Sequence, residues 1–129
     1  MKFTLDELKE LINLNEKEFM SNRTFRYSAR YSIIQIVEAM SDLGIHILER
    51  KFNEKVESYR EIFEKLMLRG VINPRTYEGI QGLVSLRNII VHRYWRVDDL
   101  RIYRIAKENG IRRIENFLRE VMEYASKDN

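Results

Sequence analysis

The chain has 129 residues, no cysteine, and 33% charged residues of both signs that leave a net charge of +3. That length suits one domain, residues 1–129, with a core that needs no staples, and the lack of cysteine excludes disulfides, thiolate catalysis and cysteine-ligated metals. No apolar run reaches the ~18 residues of a membrane span, and "MKFTLDELKE" turns acidic too soon for a signal peptide, so a cytoplasmic protein without membrane contact is expected.

Taken in order, the segments all read as helices, with no strand-like alternation, repeat or low-complexity linker. "TLDE" is a capping box that opens a first helix at Thr4, running to about residue 17, with Leu8, Leu11, Ile12 and Phe19 apolar. A long second helix covers about 22 to 51. Its Ile33, Ile36, Val37, Met40, Leu43, Gly44, Ile47 and Leu48 form one stripe at helical spacing, and Glu38, Asp42 and His46 form another. "SYRE" caps a third helix at Ser58, which ends near Gly70 with Phe63, Leu66 and Met67 inward. Asn73-Pro74 starts a fourth, a cap followed by a first-turn proline, and that helix ends near Arg93. "YWRVDD" is a turn; Asp98 or Asp99 begins the last helical segment, to about 126, with a break at Asn109-Gly110. Short connections make neighbours antiparallel, so the expected fold is all-α: an antiparallel up-and-down bundle of four to five helices.

The fourth helix carries "SLRNIIVHRYW". At about 100° per residue, Ile80, Leu83, Val84, Ile90 and Val91 fall within roughly 60° of Arg87. A guanidinium in an apolar arc needs a carboxylate or a bound anion, because an unpaired buried charge is costly; Asp42 and Asp98 are candidate carboxylates. Gln81, Ser85, Asn88 and His92 gather on another side, with Asn88 and His92 one turn apart and able to touch. Leu86 and Ile89 form a second apolar flank, available to another subunit. Each residue also has a plainer reading. An arginine on an apolar arc is commonly a structural ion-pair partner, a histidine at a helix C-terminus a dipole partner, and a Tyr-Trp turn a core plug. Asp42 and His46 read as a surface i, i+4 pair, and two histidines are a poor metal-ligand set. Arg23, Arg26, Arg30, Arg93 and Arg96 read either as a solvated face or as a guide for RNA.

The order Arg87-Asn88, three residues, His92-Arg93-Tyr94 resembles the R-x4-H-x-Y signature of the HEPN superfamily. "RYSARYSIIQIVEAMSDLGIHIL", "SYREIFEKLMLRGVI" and "LVSLRNIIVHRYWRVDDLRIY" resemble successive helices of its HepT branch, over about residues 20 to 125. The resemblance implies a HEPN-like bundle that forms a homodimer, the two motif helices meeting at a shared cleft. It implies a HepT-like toxin of a toxin–antitoxin system: a metal-independent endoribonuclease with Arg87 and His92 catalytic and Asn88 supporting, with no cofactor. Tyr94 matches the tyrosine to which a minimal nucleotidyltransferase antitoxin, of the MntA type, attaches AMP. The chemistry suits those residue types. RNA carries its own nucleophile in the 2′-OH, imidazole exchanges protons near neutral pH, and a guanidinium grips phosphate oxygens in pairs. The alternative is a non-catalytic subunit that holds nucleotide phosphates for a nucleotidyltransferase.

Overall fold

The computed structural model describes the backbone of residues 2–127 and the side chains of residues 4–127. Among the described residues there is no strand, and seven α-helices follow one another: α1 (Lys2–Asn13), α2 (Glu16–Ser21), α3 (Arg23–Phe52), α4 (Tyr59–Leu68), α5 (Pro74–His92), α6 (Asp99–Ile105) and α7 (Ile111–Lys127). The all-α bundle is the one the sequence leads to. No helix among the described residues is long and apolar enough to cross a membrane.

Local chemistry sets most boundaries. Asn15, Asn22, Ser58, Asn73 and Asp98 each accept a backbone N–H at a helix start. The proline after Asn73 loses nothing at the first turn, where its N–H would be unpaired. Thr4 does not cap a helix: it lies inside α1, and its hydroxyl donates to Gln35 Oε1 at 3.1 Å. The segment to residue 17 is two helices rather than one, because Asn15 captures Glu18 N–H at 2.8 Å and restarts the chain. Phe19 on α2 is thereby fully buried, stacked obliquely on Tyr103 at 5.0 Å. The break expected at Asn109-Gly110 is a π-helical turn, Ala106–Gly110, which leads directly into α7. Gly110 permits it: a Cβ there would stand 3.0 Å from the Ile105 carbonyl oxygen.

α3 is the spine. At about 1.5 Å per residue its 30 residues span roughly 45 Å, and α1, α4, α5 and α6 all pack against it. Ile33, Ile36, Val37, Met40, Ile47 and Leu48 bury the predicted stripe, with Leu43 half-buried at its margin. Phe63 of α4 meets Phe117 of α7 edge to face at 5.7 Å, which ties the middle of the chain to its last helix. Of the third helix's inward trio, Phe63 and Leu66 are buried and Met67 half-buried.

A nearly buried ion pair ties α6 to α3. Arg30 donates from Nε and Nη2 to the two oxygens of Asp99, at 2.7 and 2.8 Å, and Arg26 Nε lies 3.5 Å from the same carboxylate. The hydrogen bond from Arg30 to Asp99 raises the arginine's pKa above its usual value, although burial opposes the shift. The pair fixes where the turn after α5 re-enters the bundle. Asp99→Asn leaves Arg30 without its charge partner and is expected to cost about 2–3 kcal/mol. Asp98→Ala removes only a cap, about 1 kcal/mol. Urea unfolding with unchanged m-values checks both.

Candidate functional site

The motif lies on the last two turns of α5, and its polar residues open onto one cleft of about 940 Å³ between α3, α4 and α5. Arg87, Asn88 and His92 line it from α5, Asp42 from α3, and Tyr59 and Arg60 from α4. The apolar arc around Arg87 is real: Ile80, Leu83, Val84 and Ile90 are buried, and of that set Val91 alone is exposed.

Arg87 is mostly buried, its side chain 13% exposed, and its partners come from three helices. Its guanidinium carbon lies 4.7 Å from the centroid of the Tyr59 ring, a cation–π contact from α4. Nη1 donates to Asn88 Oδ1 at 3.1 Å. Nη2 lies 3.6 Å from Glu38 Oε1 on α3. Nε is buried with no hydrogen-bond partner among the described residues. The carboxylate partner is thus Glu38, not Asp42 or Asp98. Asp98 is occupied capping α6, with Arg101 N–H at 3.2 Å, and Asp42 stands on the cleft wall with no ion pair among the described residues. The Arg87–Glu38 contact is long, and the Glu38 side chain is half exposed. Such a pair is worth little in water, so an incoming anion displaces Glu38 at small cost.

His92 ends α5, exposed, and makes no hydrogen bond or ion pair among the described residues. Asn88 makes no hydrogen bond to it; its oxygen serves Arg87 instead. The cleft thus offers a stacked cation in its wall and an unengaged imidazole at its mouth.

Tyr94 opens a 3-10 turn, Tyr94–Arg96, immediately beyond α5. It is 67% exposed and Trp95 is 68% exposed; the rings meet each other edge to face at 5.3 Å. Neither plugs the core. The turn is pinned through its backbone, Arg96 N–H to Arg93 O at 2.7 Å, which leaves the side chains outside. Tyr94 is not on the cleft wall. The second flank also differs from expectation: Leu86 is buried by its own chain and Ile89 half-buried. The large apolar side chains left exposed in this part of the chain are Val91, Tyr94 and Trp95, with Tyr27 and Tyr31 on α3.

Three residues of the site went unread in the sequence: Glu38, Tyr59 and Arg60. Glu38 gave a faint signal, facing away from the buried stripe one turn from Asp42. Tyr59 and Arg60 gave none, because their role depends on how α4 lies across α5. Of the basic residues considered as guides for RNA, Arg26 and Arg30 are held by Asp99, while Arg23, Arg93 and Arg96 are exposed. His46 is exposed, and no group of three or more potential metal ligands occurs among the described residues.

The family model described as ribonuclease HepT-like matches residues 1–121. An uncharacterised protein of Methanocaldococcus jannaschii, MJ1544, is 28% identical over 120 residues, which cover 86% of this chain and 25% of that protein. The chain therefore spans about a quarter of the length of the curated relative it matches. The cytosolic protein of unknown function YutE from Bacillus subtilis superposes with a TM-score of 0.82 at 16% identity, over 98% of this chain and 86% of that one. A tri-AMPylated HEPN toxin of Shewanella oneidensis, solved in complex with an MNT antitoxin, gives 0.78 at 20% identity, over 93% and 94%. At those identities the two structures establish the shared fold.

Two substitutions separate the forces on Arg87. Glu38→Gln is expected to change stability by less than about 1 kcal/mol. Arg87→Ala loses packing on Tyr59 as well as charge and should cost about 1–2 kcal/mol. Thermal unfolding of the two variants measures the difference.

Proposed function

The chain belongs to the HepT-like ribonuclease family, and from that premise we propose that it is the toxin half of a toxin–antitoxin pair and cuts RNA without a metal ion. Residues 1–129 act as one domain, in the cytoplasm, as a homodimer. The observation that carries the reading is the convergence of Arg87, Asn88 and His92 on one cleft, with Glu38 the one carboxylate that pairs with the guanidinium among the described residues, and loosely held.

The steps follow from those groups. A phosphodiester enters and takes the place of Glu38 on the Arg87 fork, where paired N–H donors meet two phosphate oxygens. The Tyr59 ring lies against the guanidinium, and the Asn88 oxygen keeps Nη1 oriented. His92 takes the proton of the ribose 2′-OH as that oxygen attacks phosphorus. Arg87 offsets the added negative charge of the five-coordinate phosphorus. The bond from phosphorus to the 5′-oxygen breaks, and that oxygen receives a proton from a second acid. One imidazole cannot give and take at once, so His92 of a second copy of the chain supplies it across a two-fold cleft. The products are a 2′,3′-cyclic phosphate and a free 5′-OH, and DNA, without the 2′-OH, is not cut. Val91 and Trp95, exposed at and beyond the end of the motif helix, give the second copy an apolar surface to cover, while Tyr94 stays outside it. That surface replaces Leu86 and Ile89 as the basis for a dimer.

Tyr94 is the site of silencing. Its exposure admits a nucleotidyltransferase partner of the MntA type, whose ATP loses pyrophosphate as the phenol takes AMP. The structural neighbour from Shewanella oneidensis is an AMPylated toxin held by an MNT antitoxin, which favours the same arrangement here. The bound AMP adds bulk and negative charge two residues from His92 and competes with the RNA phosphate.

A second reading, a nucleotide-holding subunit without catalysis, draws on the same cleft, with Arg60 as a second cation in its wall. RNA incubated with the purified protein in chelator separates the two. Cleavage is expected, and His92→Ala should lower it by about 10²–10⁴-fold with helix content unchanged. Cleavage that survives in this variant contradicts the mechanism; nucleotide binding without cleavage by the unmodified wild type supports the second reading. After coexpression with an MntA-type enzyme, mass spectrometry should find AMP on Tyr94, with Tyr94→Phe unmodified and still able to cut RNA.

A further inference from the structure

A second concave site lies on the other side of α5. It is a groove of about 590 Å³ between the first turns of α5, the π-helical turn and α7. Four arginines line it: Arg75 from α5 and Arg112, Arg113 and Arg119 from α7. Glu78 is its one carboxylate, and the remaining residues are asparagines, a threonine and a glycine. Its lining thus carries a surplus of three positive charges, while the neighbouring Glu120 carboxylate is engaged by the Asn73 N–H and the Thr76 hydroxyl. None of the four arginines makes an ion pair or a side-chain hydrogen bond among the described residues.

Arg113 is held in place rather than waving in solvent. It is half-buried and lies along α5 where two glycines one turn apart leave a slot. A Cβ on Gly79 would stand 3.0 Å from Arg113 Cγ and 3.1 Å from Cδ, and one on Gly82 would stand 3.2 Å from Nη1. Glycine weakens a helix interior, and what these two positions gain is the close approach of the Arg113 side chain, which has no ion-pair partner among the described residues. Four gathered cations repel one another unless an anion joins them.

We infer that this groove binds the phosphodiester backbone of RNA at a point remote from the scissile bond. The choice of RNA over an acidic protein rests partly on the proposed function and partly on the lining. Protein interfaces are anchored by aromatic and large aliphatic side chains, and the groove has none. It offers guanidinium forks with neutral amides, Asn109 and Asn116, between them, the donors that phosphate and ribose oxygens accept. Gly79 lies about 20 Å along α5 from His92 and roughly 140° around the helix. An RNA strand several nucleotides long must wrap α5 to reach both. The groove therefore discriminates by length: long RNA gains affinity from it and a short oligonucleotide does not.

The test uses the full chain with His92→Ala, so that RNA survives the measurement. Affinity for a long single-stranded RNA and for a tetranucleotide is followed by fluorescence anisotropy against salt concentration. Combining Arg112→Gln, Arg113→Gln and Arg119→Gln should lower the log–log salt slope for the long RNA by about 2 and weaken binding at least about tenfold at physiological salt. The tetranucleotide should be unaffected. Gly79→Ala, which changes no charge, should displace Arg113 and weaken long-RNA binding several-fold without lowering the melting temperature. An unchanged slope, or an equal loss for both RNAs, overturns the proposal. Polyglutamate of equal charge that binds as tightly through the same arginines overturns the assignment to RNA. Failure of the nuclease reading is seen separately: wild-type protein that cuts nothing while the slope still falls removes that mechanism and leaves the groove.

Discussion

Arg87 occupies the middle of the apolar arc of α5, where a guanidinium is tolerated only if neighbouring helices satisfy it. Each neighbour answers in part. Tyr59 on α4 gives a ring face, Asn88 on α5 itself gives an oxygen, and Glu38 on α3 gives a distant, half-exposed carboxylate. Three helices have to be packed correctly before this cation has any setting, so the bundle and the site are one problem. Because the ring and amide contacts hold the group in place and the loosest contact supplies the counter-charge, the arginine is positioned yet only lightly neutralised. That is the state a phosphate-binding group needs: the geometry is fixed in advance and the competing anion leaves easily.

The rest of the molecule serves that arrangement. α3 carries Glu38 on one face while its other face is the core stripe. The Arg30–Asp99 pair returns the chain to the bundle just after the Tyr94 turn, so that turn is anchored at both ends while its aromatic rings stay outside. Exposure of His92 and Tyr94 and burial of Arg87 thus come from a single short stretch: the last turn of a helix, a cap, and a 3-10 turn. A separate set of cations, one from α5 and three from α7, lines a groove on another side of α5, so this helix borders a catalytic candidate on one side and a polyanion-binding candidate on the other.

Local signals made much of this legible. Ser58, Asn73-Pro74 and Asp98 mark helix starts because a cap is chemistry between residues two or three apart. The buried stripe of α3 and the position of Arg87 in an apolar arc follow from helical periodicity alone. What escaped depends on relations between helices. Glu38 and Arg87 are 49 positions apart, and choosing Glu38 over Asp42 needs the rotation and height of α3 against α5, which no periodicity encodes. Tyr94 and Trp95 could plug a core or stand in solvent, and the direction of one 3-10 turn decides it. Leu86 looked free because a helical wheel shows where a side chain points and not what covers it. The arginine groove is split between the start of α5 and α7, and only the Gly79 and Gly82 spacing hinted that something lies close to α5 there.

The central claim is that one phosphate meets Arg87 and His92 together. It is tested most directly by NMR, following the Arg87 Nε–H and the His92 ring resonances while a nuclease-resistant RNA, with 2′-O-methyl riboses, is added. Both sets should shift along the same saturation curve, with the Glu38 side chain responding as it is displaced. Shifts at His92 without Arg87, or saturation at different concentrations, would contradict the account.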